Sequence, residues 1–382
     1  MHSETELKKA IRIKGYGSDK ELNLNSKSKL ERVKKVDKDL FVKPTVISSL
    51  VEYIKFVDKL NSDYKRPVFY RGQGNANFLI NPNSLRINPE NERNLIEAFS
   101  RKFSHEIESC SSNMARLVLM QHFGLSTRAL DISESPLAAL YFACSPMKKF
   151  CKNRNDELSN WGEIVLFRDP DEEKADNSKP VHSNTVSLLA STAFMENVFS
   201  LWELGMEWKN DNNLMRNEEC INIRDILQSS VIVRVPQDNQ RIKNQNGAFI
   251  IVNANRVFSL SDAEEEADEL TDYILSRDLI TFEDLMEDRH WCKKFDNGKT
   301  WELGFTKINP YSKNKNEVFD TDPFNLRRLF YKDEDDIQQV VLIPPECKED
   351  IVKQLRKFNI SEDFIYPDMD NVAHEINDNM NK

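Results

Sequence analysis

Three stretches of this chain place polar groups where the surrounding pattern predicts burial or the end of an element. In Phe69-Tyr70-Arg71-Gly72-Gln73, an arginine closes the apolar run Pro67–Tyr70 and a glycine follows it. A guanidinium offers five donors in a planar fork that suits phosphate or carboxylate. Glycine lets a ligand or a second backbone come close. Arg71 and Gln73 are thus candidate ligand-binding residues, with a structural salt bridge as the alternative for Arg71. In the second stretch, Gln121 to Asp131, six polar side chains crowd the end of one helix and the entry to the next element. His122 could act as a general base, orient a ligand, or cap the helix end. Ser126 and Thr127 could contribute to a site or satisfy exposed backbone groups. Arg128 and Asp131 could pair with each other or form a polar wall facing Arg71. The third stretch is Arg241-x-x-x-Gln245-Asn246-Gly247-Ala248-Phe249. Asn246-Gly247 reads as a turn entering a strand. Gln245 could bind an amide or a base edge, or face solvent in a hairpin.

The elements that must position these groups follow from periodicity. A helix over Thr45–Leu60 puts Val46, Ile47, Leu50, Val51, Ile54, Val57 and Leu60 on one face. Further helices are expected over Glu92–Ser109 and Met114–Phe123, the latter ending at Gly124, a favoured residue past a helix end. Ser135-Pro136 looks like an N-cap with proline at the first helical position of Pro136–Ser145. Long helical patterns also cover Thr185–Leu204 and Glu346–Phe358. Ile164–Phe167, Val231–Val235, Ala248–Val252 and Gln339–Ile343 read as strands. Helices and strands mix without regular βαβ alternation, so the fold class is α+β, a mixed central sheet flanked by helices. Neither GxGxxG nor GxxxxGK[ST] occurs, which argues against a Rossmann or P-loop site.

With 382 residues, 39% apolar and 30% charged, the chain can bury a sizeable core. Its six cysteines are scattered without a C-x-x-C pair, and no HExxH occurs, so no metal site or thiol redox motif is expected. No apolar run reaches the ~20 residues of a membrane span, and the N-terminus lacks a signal-peptide core. A soluble, cytoplasmic protein with free thiols is the expectation. Residues 1–45 carry 12 Lys and Arg against 7 Asp and Glu and form a basic N-terminal arm, either a solvated tail or a tether for nucleic acid or another anionic partner. The organisation expected for residues 46–382 is one domain with a helical insert at about 170–230 and an acidic insert at about 260–330. Residues 262–290 hold 12 acidic residues against 2 basic ones, which would repel a phosphate backbone. The net charge of −10 counts against a nucleic-acid-processing effector, although Arg86, Arg128, Arg234 and Arg241 could line a local basic groove.

Taken together, the segments resemble the FRG-domain family, named for its Phe/Tyr-Arg-Gly motif. The resemblance starts at Phe69–Gln73 and continues through Pro82-Asn83-Ser84-Leu85-Arg86, akin to a P-S-L-x-R stretch. It is strongest in MQHFGLSTRALDISESPLAALYFA, Met120–Ala143, where the family reads QHYGLPTRLLDWT followed by N-P-L-x-A-L-x-F-A. It resumes at Arg241–Phe249, akin to R-x-x-x-Q-x-G-x-F, and closes at Phe364–Asp370, akin to L-F-P-D-L-D. Ile132-Ser133 stand where the family has Trp-Thr, Ser135 replaces its Asn, and Asn371 its closing Gly. Many members look like components of bacterial defence against phage.

The same order of parts, an Arg-Gly ending a strand, a Ser-Thr element and an Ala-rich helix, resembles ADP-ribosyltransferases of the Arg–Ser–Glu type. That resemblance implies an ADP-ribosyltransferase-like fold and NAD as the ligand. Arg71 would bind its phosphate, Ser126 and Thr127 would support the nicotinamide side, and a Glu or Gln near the third segment would orient the ribose. The chemistry needs a carboxylate beside an oxocarbenium-like centre. No E-x-E or Q-x-E occurs in the expected late strand, which leaves Glu163 and Glu134 as candidates by proximity in sequence. The candidate catalytic set is therefore His122, Thr127, Gln245 and Glu163. The ligand-binding set is Arg71, Gln73, Arg86, Gln121, Ser126, Arg128, Asp131 and Arg241. The alternative is a non-catalytic sensor that binds a nucleotide, a nucleic-acid end or a partner protein, the last through the N-terminal arm or the acidic insert.

Overall fold

The computed structural model describes residues 42–60, 66–76, 78, 80, 82, 84, 92–145, 160–169, 178–211, 230–252, 255–259, 292–294, 300–307, 326–332 and 338–367. Most of the basic arm, most of the acidic insert, Arg86 and the Asp368–Asn371 part of the closing motif lie outside these residues.

In chain order the elements are β1 (Val42–Val46), α1 (Leu50–Leu60), β2 (Phe69–Gln73), α2 (Glu92–Lys102), α3 (Ser104–Glu108), α4 (Asn113–His122), β3 (Ala129–Ser133) and α5 (Pro136–Cys144). Then come β4 (Gly162–Phe167), β5 (Lys179–Pro180), α6 (Asn184–Ser191), β6 (Val198–Ser200), α7 (Leu201–Asp211), β7 (Val231–Arg234), α8 (Gln240–Gln245) and β8 (Gly247–Ile251). The remainder are β9 (Asn255–Ser259), β10 (Cys292–Lys294), β11 (Thr300–Lys307), β12 (Gln338–Ile343), α9 (Pro345–Arg356) and α10 (Glu362–Ile365). Eight strands form one sheet in the order β1-β12-β4-β2-β3-β8-β7-β5; β10, β11 and β6 form a second, with β9 also on β11. The fold is α+β, with a mixed sheet. The edge pairs β1–β12 and β5–β7 are parallel and the inner pairs antiparallel.

Alternation along the strands splits the core. Phe69, Leu130, Ile132, Val165, Phe167, Ala248 and Ile250 pack on one face. On the other face two helical layers stand side by side. Tyr70, Ile164, Leu166, Val341 and Ile343 pack under α1, α5, α9 and α10. Ala129, Val231, Val233, Phe249 and Ile251 pack under α4, α6 and α7. Tyr70 pairs with Ser133 across β2 and β3, so both layers lie on the same face and meet above these two strands.

Several elements differ from the periodicity reading. Residues 42–46 pair with β12 as a strand, so the first helix starts at Leu50 rather than Thr45, and the chain joins the sheet before position 46. The pattern over Glu92–Ser109 breaks at Phe103 into α2 and α3. The expected helix Thr185–Leu204 is two helices with β6 between them. The first of these ends at Thr192, whose hydroxyl and carbonyl both accept from the buried Arg128. Asn246-Gly247 ends a helix rather than making a hairpin. Asn246 adopts the left-handed conformation (φ 45°, ψ 50°) as the C-cap of α8, and Gly247 opens β8.

The Ala-rich helix α5 explains Gly72. Ser135 accepts from the Ala138 N–H as its N-cap, with proline in the first turn. Ala138, Ala139 and Ala143 are fully buried, which brings the helix backbone flush against β2. A Cβ at Gly72 would lie 1.8 Å from the Ala139 carbonyl oxygen. Neither backbone can swing away as a side chain can. Gly72→Ala is therefore expected to destabilise the fold by about 3 kcal/mol, read as a lower midpoint in urea unfolding. A midpoint equal to wild type would contradict this packing.

Candidate functional site

The ladder between β2 and β3 consists of the single pair Tyr70–Ser133, whereas β2 pairs with β4 from Phe69 to Gln73 and β3 with β8 from Ala129 to Ser133. Beyond that pair the two strands part. Arg71 occupies the parting: its Nη1 donates to the main-chain carbonyl of Asp131 at 2.6 Å. Above this split, between the two helical layers, lies a cleft of about 370 Å³. Its floor comes from β2, β3 and β8 (Arg71, Gly72, Asp131, Ser133, Phe249). Its walls come from α4 (Gln121, His122), α8 (Arg241, Gln245), Phe142 of α5, and Tyr366 just after α10.

Each polar group in the cleft is held by the fold in a definable way. Burial lowers the pKa of Arg71, with the nearby Asp131 acting in the opposite direction; an arginine stays protonated under such shifts. Its Nε is buried and has no acceptor among the described residues. Arg241 lies with its guanidinium 4.9 Å from the centre of the Tyr366 ring, a cation–π arrangement. No carboxylate among the described residues pairs with Arg241. Burial raises the Tyr366 pKa, Arg241 lowers it, and Asp131 and Glu362 raise it, so the phenol keeps its proton at neutral pH. The Tyr366 segment is clamped over the cleft by α8. Gln245 Nε2 donates to the Ile365 carbonyl at 2.9 Å and Asn244 Nδ2 to the Phe364 carbonyl at 2.6 Å.

His122 ends α4, and Gly124 takes φ +85° just beyond it. Its Nε2 lies 3.1 Å from Asn239 Nδ2. Asn239 caps α8, and its Oδ1 accepts the Arg241 and Ile242 N–H groups. The amide nitrogen is therefore the donor, and His122 Nε2 must accept. That contact engages the Nε2 lone pair a general base would use.

The structure thus gathers Arg71, Gln121, His122, Asp131, Arg241 and Gln245 from three distant parts of the sequence. It places the other candidates elsewhere. Arg128 is fully buried in an ion pair with Glu92, away from the cleft, and faces neither Asp131's carboxylate nor Arg71. Gln73 and Glu163 form a buried pair at 2.5 Å. By strand alternation they share the sheet face of Arg71, but unlike Arg71 neither lines the cleft, and the Glu163 carboxylate accepts from Gln73 instead. Glu134 is paired with Arg234 at 2.6 Å. With Arg128 buried and Arg234 paired, these arginines form no shared basic groove with Arg241. Thr127 does not line the cleft but donates to Gln121 Oε1 at 2.5 Å. Ser126 lies in the same connection and is not among the lining residues.

Tyr366, Phe142 and Phe249 also line the cleft, although residue type does not mark them as site residues. Their neighbours mark them only as apolar. Tyr366 falls in the closing motif Phe364–Asp370, but that motif does not tell that the segment returns to the cleft beside β2 and β3. Where the family has Trp-Thr, Ser133 keeps the hydroxyl, which lies 2.5 Å from the Gln245 carbonyl and ties β3 to α8.

No helix among the described residues is long and apolar enough to cross a membrane. No curated protein and no solved structure matches the chain. Arg241, Gln245 and Tyr366 complete the cleft from one side; the segment that supplies Arg71, Gln121, His122 and Asp131 from the other, residues 66–152, matches the family model of the FRG domain.

Proposed function

We propose that the cleft binds a phosphate-bearing nucleotide. The observation that carries this reading is the convergence of two guanidinium groups, Arg71 and Arg241, on one concave site. Arg71 has a buried donor without an acceptor, and Arg241 has no carboxylate partner among the described residues. Two cations fixed by their surroundings attract an anion, and arginine matches phosphate through paired donors. Tyr366, Phe142 and Phe249 give a flat heterocycle an apolar surface to pack on.

NAD fits this chemistry, and ADP-ribosyl transfer is the named reaction we attach to it. Asp131 supports that reading, since it places one carboxylate in the cleft. The engaged lone pair of His122 favours a second reading, a sensor that binds its nucleotide without turnover. A place in bacterial defence against phage rests on the FRG resemblance alone.

The test is incubation of the purified protein with NAD, ATP and mixed RNA, with mass spectrometry of both the solution and the retained ligand. Arg241→Ala is expected to abolish retention. Loss of NAD by the wild type alone, with nicotinamide released and the ADP-ribosyl mass gained by an acceptor other than water, would identify the transferase. Retention without consumption would identify the sensor. Equal behaviour of wild type and Arg241→Ala would remove the binding proposal.

A further inference from the structure

The side chains around Asp131 form a directed chain. Thr127 is almost fully buried, and its Oγ1 accepts the Ala129 N–H at 3.3 Å. Its own proton then goes to Gln121 Oε1, 2.5 Å away. With its oxygen turned to Thr127, Gln121 presents its nitrogen to Asp131, and Nε2 donates to Oδ1 at 2.7 Å. One carboxylate oxygen is thereby fixed. Asp131 is exposed within the cleft, and Oδ2 has no donor among the described residues. Its backbone carbonyl is held independently by Arg71, so the side chain can be altered without removing that anchor.

A carboxylate at neutral pH only accepts hydrogen bonds. It repels phosphate oxygens, which belong on the guanidinium groups, and it needs a hydroxyl or amine donor beside the anion. We infer that Asp131 reads a sugar hydroxyl next to the ligand's phosphate, so that the cleft selects ribonucleotides over deoxyribonucleotides. An acidic residue takes a ribose hydroxyl in the same way in dinucleotide-binding folds. Thr127 acts as a positioning residue through Gln121. The inference rests on the nucleotide reading of the cleft and adds the identity of the sugar.

The experiment is a binding titration of the full chain with the four ribonucleoside triphosphates and their 2′-deoxy and 3′-deoxy counterparts. A hydrogen bond to a charged group accounts for a preference of roughly ten- to hundred-fold for the ribo form over at least one deoxy form. Asp131→Ala should bring that ratio near one. Thr127→Val should reduce it, and Thr127→Ser should restore it, with melting temperatures confirming that each variant is folded. A wild type indifferent to the hydroxyls, or an Asp131→Ala variant that keeps the preference, overturns the inference while leaving phosphate binding in place. Failure of every nucleotide to bind folded wild type overturns the binding reading itself and the sugar selection with it.

Discussion

Replacing Arg128 with alanine is expected to remove about 3–5 kcal/mol of folding stability, the range for breaking a buried ion pair by deleting one partner. Neither Arg128 nor Glu92 exposes its side chain. Arg128 Nε lies 3.1 and 3.0 Å from the two Glu92 oxygens, and Nη2 lies 2.5 Å from Oε2. The same guanidinium donates to the hydroxyl and carbonyl of Thr192. Glu92 opens α2 and also accepts from Ser84, while Arg128 immediately precedes β3. One side chain thus joins the start of α2, the end of α6 and the sheet. Its loss would strand a carboxylate in the core, where desolvation is costly. Domains are stable by only ~5–15 kcal/mol, so urea unfolding should show a clear drop in midpoint. Removing both partners should cost less than the sum of the single changes, because the second removal relieves the stranded charge. Additive losses would contradict the pair.

Arg71→Ala is expected to weaken nucleotide binding by roughly ten- to hundred-fold, the loss associated with a charge-assisted hydrogen bond. Two effects act together. The anion loses a donor fork, and the parting of β2 and β3 loses the bond from Nη1 to the Asp131 carbonyl. Arg71→Lys should not restore affinity, since an ammonium cannot bridge the Asp131 carbonyl and a phosphate with the same planar geometry. Isothermal titration of the two variants against ATP checks this. Full affinity in Arg71→Lys would mean that charge alone, and not the fork, holds the ligand.

The two arginines show how far sequence carries the site. Arg71 and Arg128 each precede or follow a glycine, alanine or threonine in a polar cluster, and both look like anion binders. Only the fold brings Glu92 to Arg128, and only the short β2–β3 ladder leaves room for Arg71 at the cleft. Elements built from local rules were legible. Ser135-Pro136 starts α5, Gly124 follows the end of α4, and the apolar run Ile164–Phe167 lies within a fully buried strand. Elements that depend on distant partners were not. The hydrophobic face of Thr185–Leu204 continues through its break, because the groups that end α6 at Thr192 come from Arg128. Glu163 lies on a strand beside β2, yet its carboxylate is taken up by Gln73 and does not line the cleft. Tyr366 reaches the cleft through backbone carbonyls clamped by Asn244 and Gln245, contacts with no trace in residue type.

The most direct measurement is equilibrium binding of NAD and ATP to the wild type and to an Arg71→Ala/Arg241→Ala double variant, with melting temperatures recorded in parallel. Saturable binding at one site by the wild type, and none by a folded double variant, is the expected result. Binding of equal strength in both would contradict the assignment of this cleft as a phosphate site.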